Sequence, residues 1–510
     1  MIPLEWMPPL MFGGLVIFML IGFPVAFSLM AAGLFFSLIA MSEGFFGIAF
    51  LQAIPQRIFG SVLANDLLLA IPFFTFMGAI LERCGLAEEM LDSMGQLFGR
   101  IRGGLGYSVI IVGFILGAIT GTVAAQVIAM AMISLPVMMR YGYNMRYATG
   151  VLAASGTITQ LVPPSLVLIV LADQLKTQSG SADVGSMYLG AWGPSLLQIG
   201  LFALYTFFLS RFRPDYLPAA PENELTLKGW ALWKKCLQGI IPSAALIFLV
   251  LGTIMTGIAT PTESGAMGAM GALLLAWIRR ASIPNLKGLI QEAYQNTMRI
   301  TAMVVFILIG STCFSVVFQG VDGGHWVEDL FSNLPGGWVG FLVVVNLFVF
   351  FLAFFLDFFE IAFIVVPMLA PVAVKLLSPV LLASMNGNPQ AAASAALVWF
   401  GVMLCVNMQT SFMHPPFGFA LFYLRGVAPK EVKSGDIYWG ALPWVALQLI
   451  MVLVVAAFPA LVTTFLDKPA AVIQNQDFNF TGGEDPKPGS QPSKADEDSP
   501  VVFQLDKPIN

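Results

Sequence analysis

Residues 156–173, GTITQLVPPSLVLIVLAD, decide how the rest of the chain is read. Pro163 and Pro164 remove two backbone donors and push the residue before them out of the helical region, so a helix entering this run has to break. The same arrangement returns at residues 406–424, VNMQTSFMHPPFGFALFYL, where Pro415 and Pro416 follow Gln409 and Thr410 and precede Gly418. Unwound backbone is tolerated at membrane depth only inside protein or beside a water-filled cavity. Matched interruptions in two halves of a membrane protein therefore point to a transporter's binding site.

Composition places both runs in a membrane. Of the 510 residues, 58% are hydrophobic and 10% charged, against roughly 25% charged in a soluble domain. Apolar stretches of about 20 residues, enough to cross a bilayer, recur between short loops. The formal charge of −5 is dominated by residues 467–510, which hold eight Asp/Glu and four Lys. The membrane part is nearly neutral, and no nucleic-acid partner is expected. Cys84, Cys236, Cys313 and Cys405 stand singly, without disulfide or zinc spacing, and read as packing residues. The N-terminal MIPLEWMPPL lacks a basic segment and a cleavage site, so the first span is expected to be retained.

Taken in order, spans near 8–22 and 24–41 meet at Pro24, a loop carries Arg57, and a third span runs near 64–82. Glu88, Glu89 and Asp92 then alternate with Leu86, Met90, Leu91, Met94, Leu97 and Phe98, the pattern of a helix lying in the interface. The apolar stretch at about 105–140 is interrupted by Thr120-Gly121-Thr122. It is too long for one span and too short for two with a solvated loop, so it reads as a re-entrant hairpin with that triplet at its tip. The broken helix at about 145–173 and a span near 190–210 close a first repeat, residues 1–210.

A polar, Pro-rich linker, 211–237, precedes a second repeat, 238–466, with the same order. Thr260-Pro261 lies 237 residues after Pro24, and Asp357, which interrupts a second hairpin at about 338–376, lies 236 after Gly121. Pro415, in a broken helix at about 393–424, lies 252 after Pro163. The tail 467–510 is expected to be disordered. Five crossings per half invert the second half relative to the first, the inverted-repeat plan of secondary transporters. Charge agrees: seventeen Lys/Arg fall on one side and Arg57, Lys176 and Lys375 on the other, outside the tail. By the positive-inside rule both termini then lie outside.

Ionisable groups at membrane depth cost on the order of 2.5–3.5 kcal/mol by insertion scales, so each needs a partner or a role. Asp357 and Glu360 sit three apart at the second tip; a cation or proton site on one hand, and a salt link or hairpin cap on the other, both remain open. Glu263, just after Pro261, reads as a helix cap. Thr120, Thr122, Gly156, Thr157, Thr159, Gln160, Asn407, Gln409, Thr410 and Ser411 supply neutral oxygens at the breaks. Hydroxyl and carbonyl oxygens suit a hard cation such as sodium, although Ser and Thr in membrane helices more often bond their own backbone. His414, before Pro415, is either a titrating group or a packed interhelical donor. No metalloprotease, nucleotide-loop or serine-hydrolase motif occurs, and an enzyme is not expected.

The segments LLLAIPFFTFMGAILERCGL (67–86), AAQVIAMAMISLPVMMRYGYN (124–144), GIATPTESGAMGA (257–269) and FLDFFEIAFIVVPMLAP (355–371), with the T-G-T hairpin and both Pro-Pro breaks, resemble the large permease subunit of TRAP (tripartite ATP-independent periplasmic) transporters over about 8–465. The resemblance implies an all-α polytopic transporter of elevator type, with hairpins and broken helices moving against the remaining spans. It implies sodium-driven import of an organic acid across the bacterial inner membrane, with no cofactor besides the coupling Na+. A periplasmic substrate-binding protein and a small four-helix permease subunit are its implied partners. Residue by residue, Thr120, Gly121 and Thr122 match the first tip, and Gly156, Pro163, Pro164 and Ser165 the first break. Asp357 matches the second tip, and Pro415, Pro416 and Gly418 the second break. His414 departs from the family's usual threonine, and the insert near 380–392 resembles the branch linked to mannitol, chloroaromatic or 2-oxo acid uptake. A self-sufficient ion-coupled transporter of the same plan, and an intramembrane enzyme or structural subunit, are the alternatives.

Overall fold

The computed structural model describes residues 3–468 apart from 222–223, 226–228, 282, 284, 333 and 417, and apart from the side chains of Leu20 and Thr120. The expected polar tail beyond 468 lies outside the described residues. The described chain is helical. Eight helices are long and apolar enough to cross a membrane, or up to ten if each of two bent pairs counts as one span.

The first half opens with α1 (Met7–Leu20) and α2 (Val25–Ser42), divided where Pro24 forces an extended residue. The stretch read from sequence as a loop around Arg57 is instead helical: α3 (Ala53–Arg57) runs into a π-helical turn, Ile58–Leu63. After a bend of 50° comes α4 (Ala70–Arg83). Arg57 donates to Gln319 at 2.8 Å and ties this segment to a later helix. Next come the amphipathic α5 (Leu86–Phe98), the hairpin arms α6 (Gly104–Thr120) and α7 (Val123–Arg140), the broken helix α8 (Met145–Thr157) plus α9 (Leu166–Gln174), and α10 (Val184–Phe212).

The second half repeats that order. It comprises α11 (Trp230–Met255), α12 (Pro261–Ile278), α13 (Leu286–Gly320), the short α14 (Gly323–Ser332), the hairpin arms α15 (Gly337–Leu352) and α16 (Phe358–Leu381), the broken helix α17 (Pro389–Met408) plus α18 (Phe419–Val427), and α19 (Ser434–Ala457), followed by α20 (Ala460–Thr463). Helix α11 begins inside the expected linker, because polar residues continue a helix once its apolar stripe is packed.

Helix contacts exchange between the halves: α2 packs along α13 and α4 along α12. Likewise α8 packs along α19 and α17 against α10, while α7 meets α18 and α16 meets α9. The amphipathic α5 is clamped by charge, with Glu89 paired to Arg279 and Asp92 to Lys235. Arg83, at the end of α4, pairs with Glu292. Burial is deepest at the breaks: the window over Pro389–Phe412 is 89% buried against 22% for α10. The interrupted helices are thus enclosed by the others, as exposed backbone in a membrane requires. The four cysteines are free and buried.

Candidate functional site

Asn144 caps α8 by accepting from the amides of Arg146 and Tyr147, and every residue from Tyr147 to Thr157 is buried. The helix tightens into a 3-10 turn, Ile158–Gln160, and gives out before the Pro163-Pro164 bond, which is cis. Ser165 restarts the chain as the N-cap of α9, its Oγ accepting from Val167 N at 3.2 Å. Carbonyls released by the break find side chains: Gln160 O accepts from Ser165 Oγ and from Cys405 Sγ at 3.2 Å, and Leu161 O from Ser195 at 3.2 Å. Cys405 lies on α17, so this contact joins the two interrupted helices.

The second break is built alike. α17 passes into a 3-10 turn, Gln409–Phe412, before the cis Pro415-Pro416 bond. Gly418 N donates to His414 O at 2.6 Å, and a Cβ on Gly418 would lie 2.5 Å from Phe412 O, so only glycine fits this turn. The His414 ring stacks on Phe354, centroids 4.0 Å apart and nearly parallel, with Phe350 edge-on at 4.5 Å. The imidazole is therefore held as part of an aromatic stack from the second hairpin.

Each hairpin returns beside the break of its own half, by different means. In the first, α6 offers Gly106, Gly113 and Gly117, where a Cβ would meet Tyr147, Ser155 and Thr159 at 2.0, 2.8 and 3.2 Å. Small residues let the two backbones approach. Gln126 of α7 then donates to Gly113 O at 2.6 Å and to Ser155 O at 3.0 Å, sewing both arms to the broken helix. Gly156 is a close-packing position too, since a Cβ there would lie 2.2 Å from Val127. In the second half asparagines and aromatics replace the glycines: Asn407 donates to Asn346 O at 2.8 Å and to its Oδ1 at 3.0 Å.

α6 ends at Thr120, Gly121 takes a left-handed φ of 63°, and the extended Thr122 precedes α7. The Thr120 side chain lies outside the described residues. At the second tip Asp357 and Glu360 form a reciprocal capping box: Asp357 Oδ1 accepts from Phe358 N at 2.7 Å and Glu360 Oε2 from Asp357 N at 3.0 Å. Glu263 makes the same box with Thr260.

The hydroxyls mostly bond backward. Thr157 donates to Ala154 O at 2.9 Å, Thr410 to Asn407 O and Ser411 to Met408 O at 2.7 Å, and Thr159 lies 2.8 Å from Gly156 O and beside Gln126 Oε1. A hydroxyl that has given its proton to a carbonyl keeps lone pairs for an electropositive ligand. Several buried polar atoms here have no partner among the described residues: Ser155 Oγ, both amide atoms of Gln160, Asn407 Oδ1 and Gln448 Oε1. Such atoms are costly unless water or a ligand completes them. Gln126, Gln198, Asn346 and Gln448 were not singled out in the sequence, although each is a lone amide in an apolar helical run, the signal that marks them. Among the described residues no group of three His, Cys, Asp or Glu is placed to hold a metal ion.

This arrangement of hairpins and interrupted helices has relatives. The chain is 27% identical over 466 residues to the C4-dicarboxylate TRAP transporter large permease protein DctM of Rhodobacter capsulatus, covering 89% of this chain and 97% of that one. It is 27% identical to the sialic acid TRAP transporter large permease protein SiaM of Vibrio cholerae, covering 86% and 93%. Among solved structures the fold resembles the YdaH transporter of Alcanivorax borkumensis, with a TM-score of 0.54 at 16% identity over 80% of this chain and 88% of that one. Residues 12–461 match the family described as tripartite ATP-independent periplasmic transporter, DctM component. The chain belongs to that family: it is a multi-pass membrane protein, the large permease subunit of a TRAP transporter, and not an enzyme.

Proposed function

We propose that this subunit imports an organic acid anion across the bacterial inner membrane, driven by sodium. The carrying observation is the pair of enclosed breaks, where released carbonyls, back-bonded hydroxyls and unpartnered amides collect in the most buried part of the molecule. Oxygen ligands without a fixed charge suit sodium. The relatives' names, C4-dicarboxylate and sialic acid, share a small acid, and a carboxylate, 2-oxo acids included, is the class proposed here. Thr122, Gly156, Thr159, Asp357 and Thr410 are the leading candidates to bind cation or substrate, with Thr120, Gln160, Glu360, Gln409 and His414 beside them.

The mode of movement follows from the same geometry. Contacts exchanged between α2–α13 and α4–α12, and between α8–α19 and α17–α10, support two repeats of opposite orientation. The hairpins, the broken helices and the final spans α10 and α19 bonded to them would move as one body against the remaining spans, with both chain ends periplasmic. A periplasmic binding protein and a small membrane subunit complete the assembly, in keeping with the tripartite family.

Uptake of labelled organic acids into proteoliposomes holding this protein and its small partner tests the reading. Uptake that requires both an inward sodium gradient and the binding protein is expected. Uptake indifferent to sodium removes the coupling, and uptake without the binding protein makes the chain an autonomous carrier.

A further inference from the structure

Two glutamines outside the breaks reach into them from opposite halves. Gln448 of α19 donates through Nε2 to Thr157 Oγ1 at 2.9 Å, at the end of α8. Gln198 of α10 donates to Gln409 Oε1 at 2.7 Å, at the end of α17. Both glutamines are fully buried. They lie 250 residues apart, and their targets Thr157 and Gln409 lie 252 apart, the interval between the Pro-Pro pairs. The bonds are thus one contact made twice, each final span holding the broken helix of the other half.

The two final spans are themselves locked together. Trp444 of α19 lies edge-on to Phe202 at 5.0 Å and to Tyr205 at 5.2 Å, both on α10. Tyr147 of α8 packs on the same Trp444 at 5.9 Å and bonds Thr206 of α10 at 2.9 Å. Cys405 of α17 then closes the circuit onto Gln160 O.

We propose that Gln198 and Gln448 are positioning residues, a cross-brace that fixes both breaks in ligand-binding geometry and links them to each other. The inference rests on the proposed reading of the breaks as the cation site. The chemistry of each contact is specific. Thr157 gives its proton to Ala154 O, so its oxygen needs a donor opposite, which the Gln448 amide supplies and a carboxylate would not. Gln448 Oε1 has no partner among the described residues, leaving an acceptor next to the first break.

The test uses the purified full-length protein. Its melting temperature is titrated with NaCl against KCl at constant ionic strength, for wild type, Gln198→Leu, Gln448→Leu and the donor-retaining Gln448→His. The Leu variants are expected to raise the half-effective sodium concentration about tenfold, the scale of one buried hydrogen bond lost, and Gln448→His to recover part of it. A lower melting temperature with an unchanged sodium midpoint would mean simple packing and overturns the inference. Should sodium fail to stabilise wild type, the cation reading itself falls. The brace is then judged by maleimide labelling of Cys405 in a background with the other three cysteines changed to Ala. Faster labelling in both Leu variants, well below their melting temperatures, supports the brace, and unchanged labelling overturns it.

Discussion

Gln198 and Gln409 face each other as a reciprocal amide pair, Nε2 of Gln198 lying 2.7 Å from Oε1 of Gln409 and the return bond measuring 3.4 Å. Both are fully buried on different helices 211 residues apart. Gln198→Leu leaves the Gln409 amide unsatisfied and is expected to cost about 1–3 kcal/mol. The double variant Gln198→Leu/Gln409→Leu removes both polar ends together and should cost less than the sum of the singles. Additive losses in a denaturation series would show that the pair is not an energetic unit.

The glycine seam of α6 makes a steric prediction. Gly106→Ala puts a methyl 2.0 Å from the Tyr147 hydroxyl, which is buried and bonded to Thr206. Overpacking of this kind costs about 1–3 kcal/mol, so a lower melting temperature and reduced uptake are expected. Gly13→Ala on α1, with open space around its Cβ, is the control and should be neutral or slightly stabilising. Equal behaviour of the two variants would contradict the close approach of α6 to α8.

At the second tip, charge and capping can be separated. Asn is as good an N-cap as Asp, so Asp357→Asn should keep the bond to Phe358 N and the protein's stability while removing the carboxylate. Sodium-driven uptake is expected to fall at least about tenfold, and Thr122→Ala at the first tip should lower it likewise. Full uptake by Asp357→Asn would reduce Asp357 to its cap.

On the exposed face of α14, the Lys375 ammonium bonded to Glu328 holds that carboxyl below its ordinary value. A depressed carboxylate stabilises the fold above its unfolded value of about 4.3 and loses the effect as pH falls through the folded one. Wild type and Glu328→Gln should therefore differ by a small amount that persists above about pH 5 and converge below about pH 4. Convergence already near neutrality, followed by circular dichroism melts across pH, would refute the pairing.

Where the chain breaks was legible from local rules. Proline removes a donor wherever it stands, and glycine reaches a left-handed φ that other residues avoid, so Pro24, Gly121 and the two Pro-Pro pairs marked their boundaries without reference to the rest of the molecule. The apolar runs between them set the helices for the same reason. Glu263 was likewise legible as a cap from its place after Pro261, while its box with Thr260, which closes within one turn, came from the structure.

What those elements touch was settled only in three dimensions. A single amide in an apolar run, Gln198 or Gln448, bonds a side chain from another element, and that bond depends on which helix crosses at that height. Arg57 finds its partner in Gln319, far along the chain, and His414 takes its place in an aromatic stack only because the second hairpin brings Phe350 and Phe354 to it. Sequence alone fixed the positions of the breaks, since backbone restriction is local. Tertiary structure decided what holds them, because a buried polar group is satisfied by whatever the packing of distant helices places beside it.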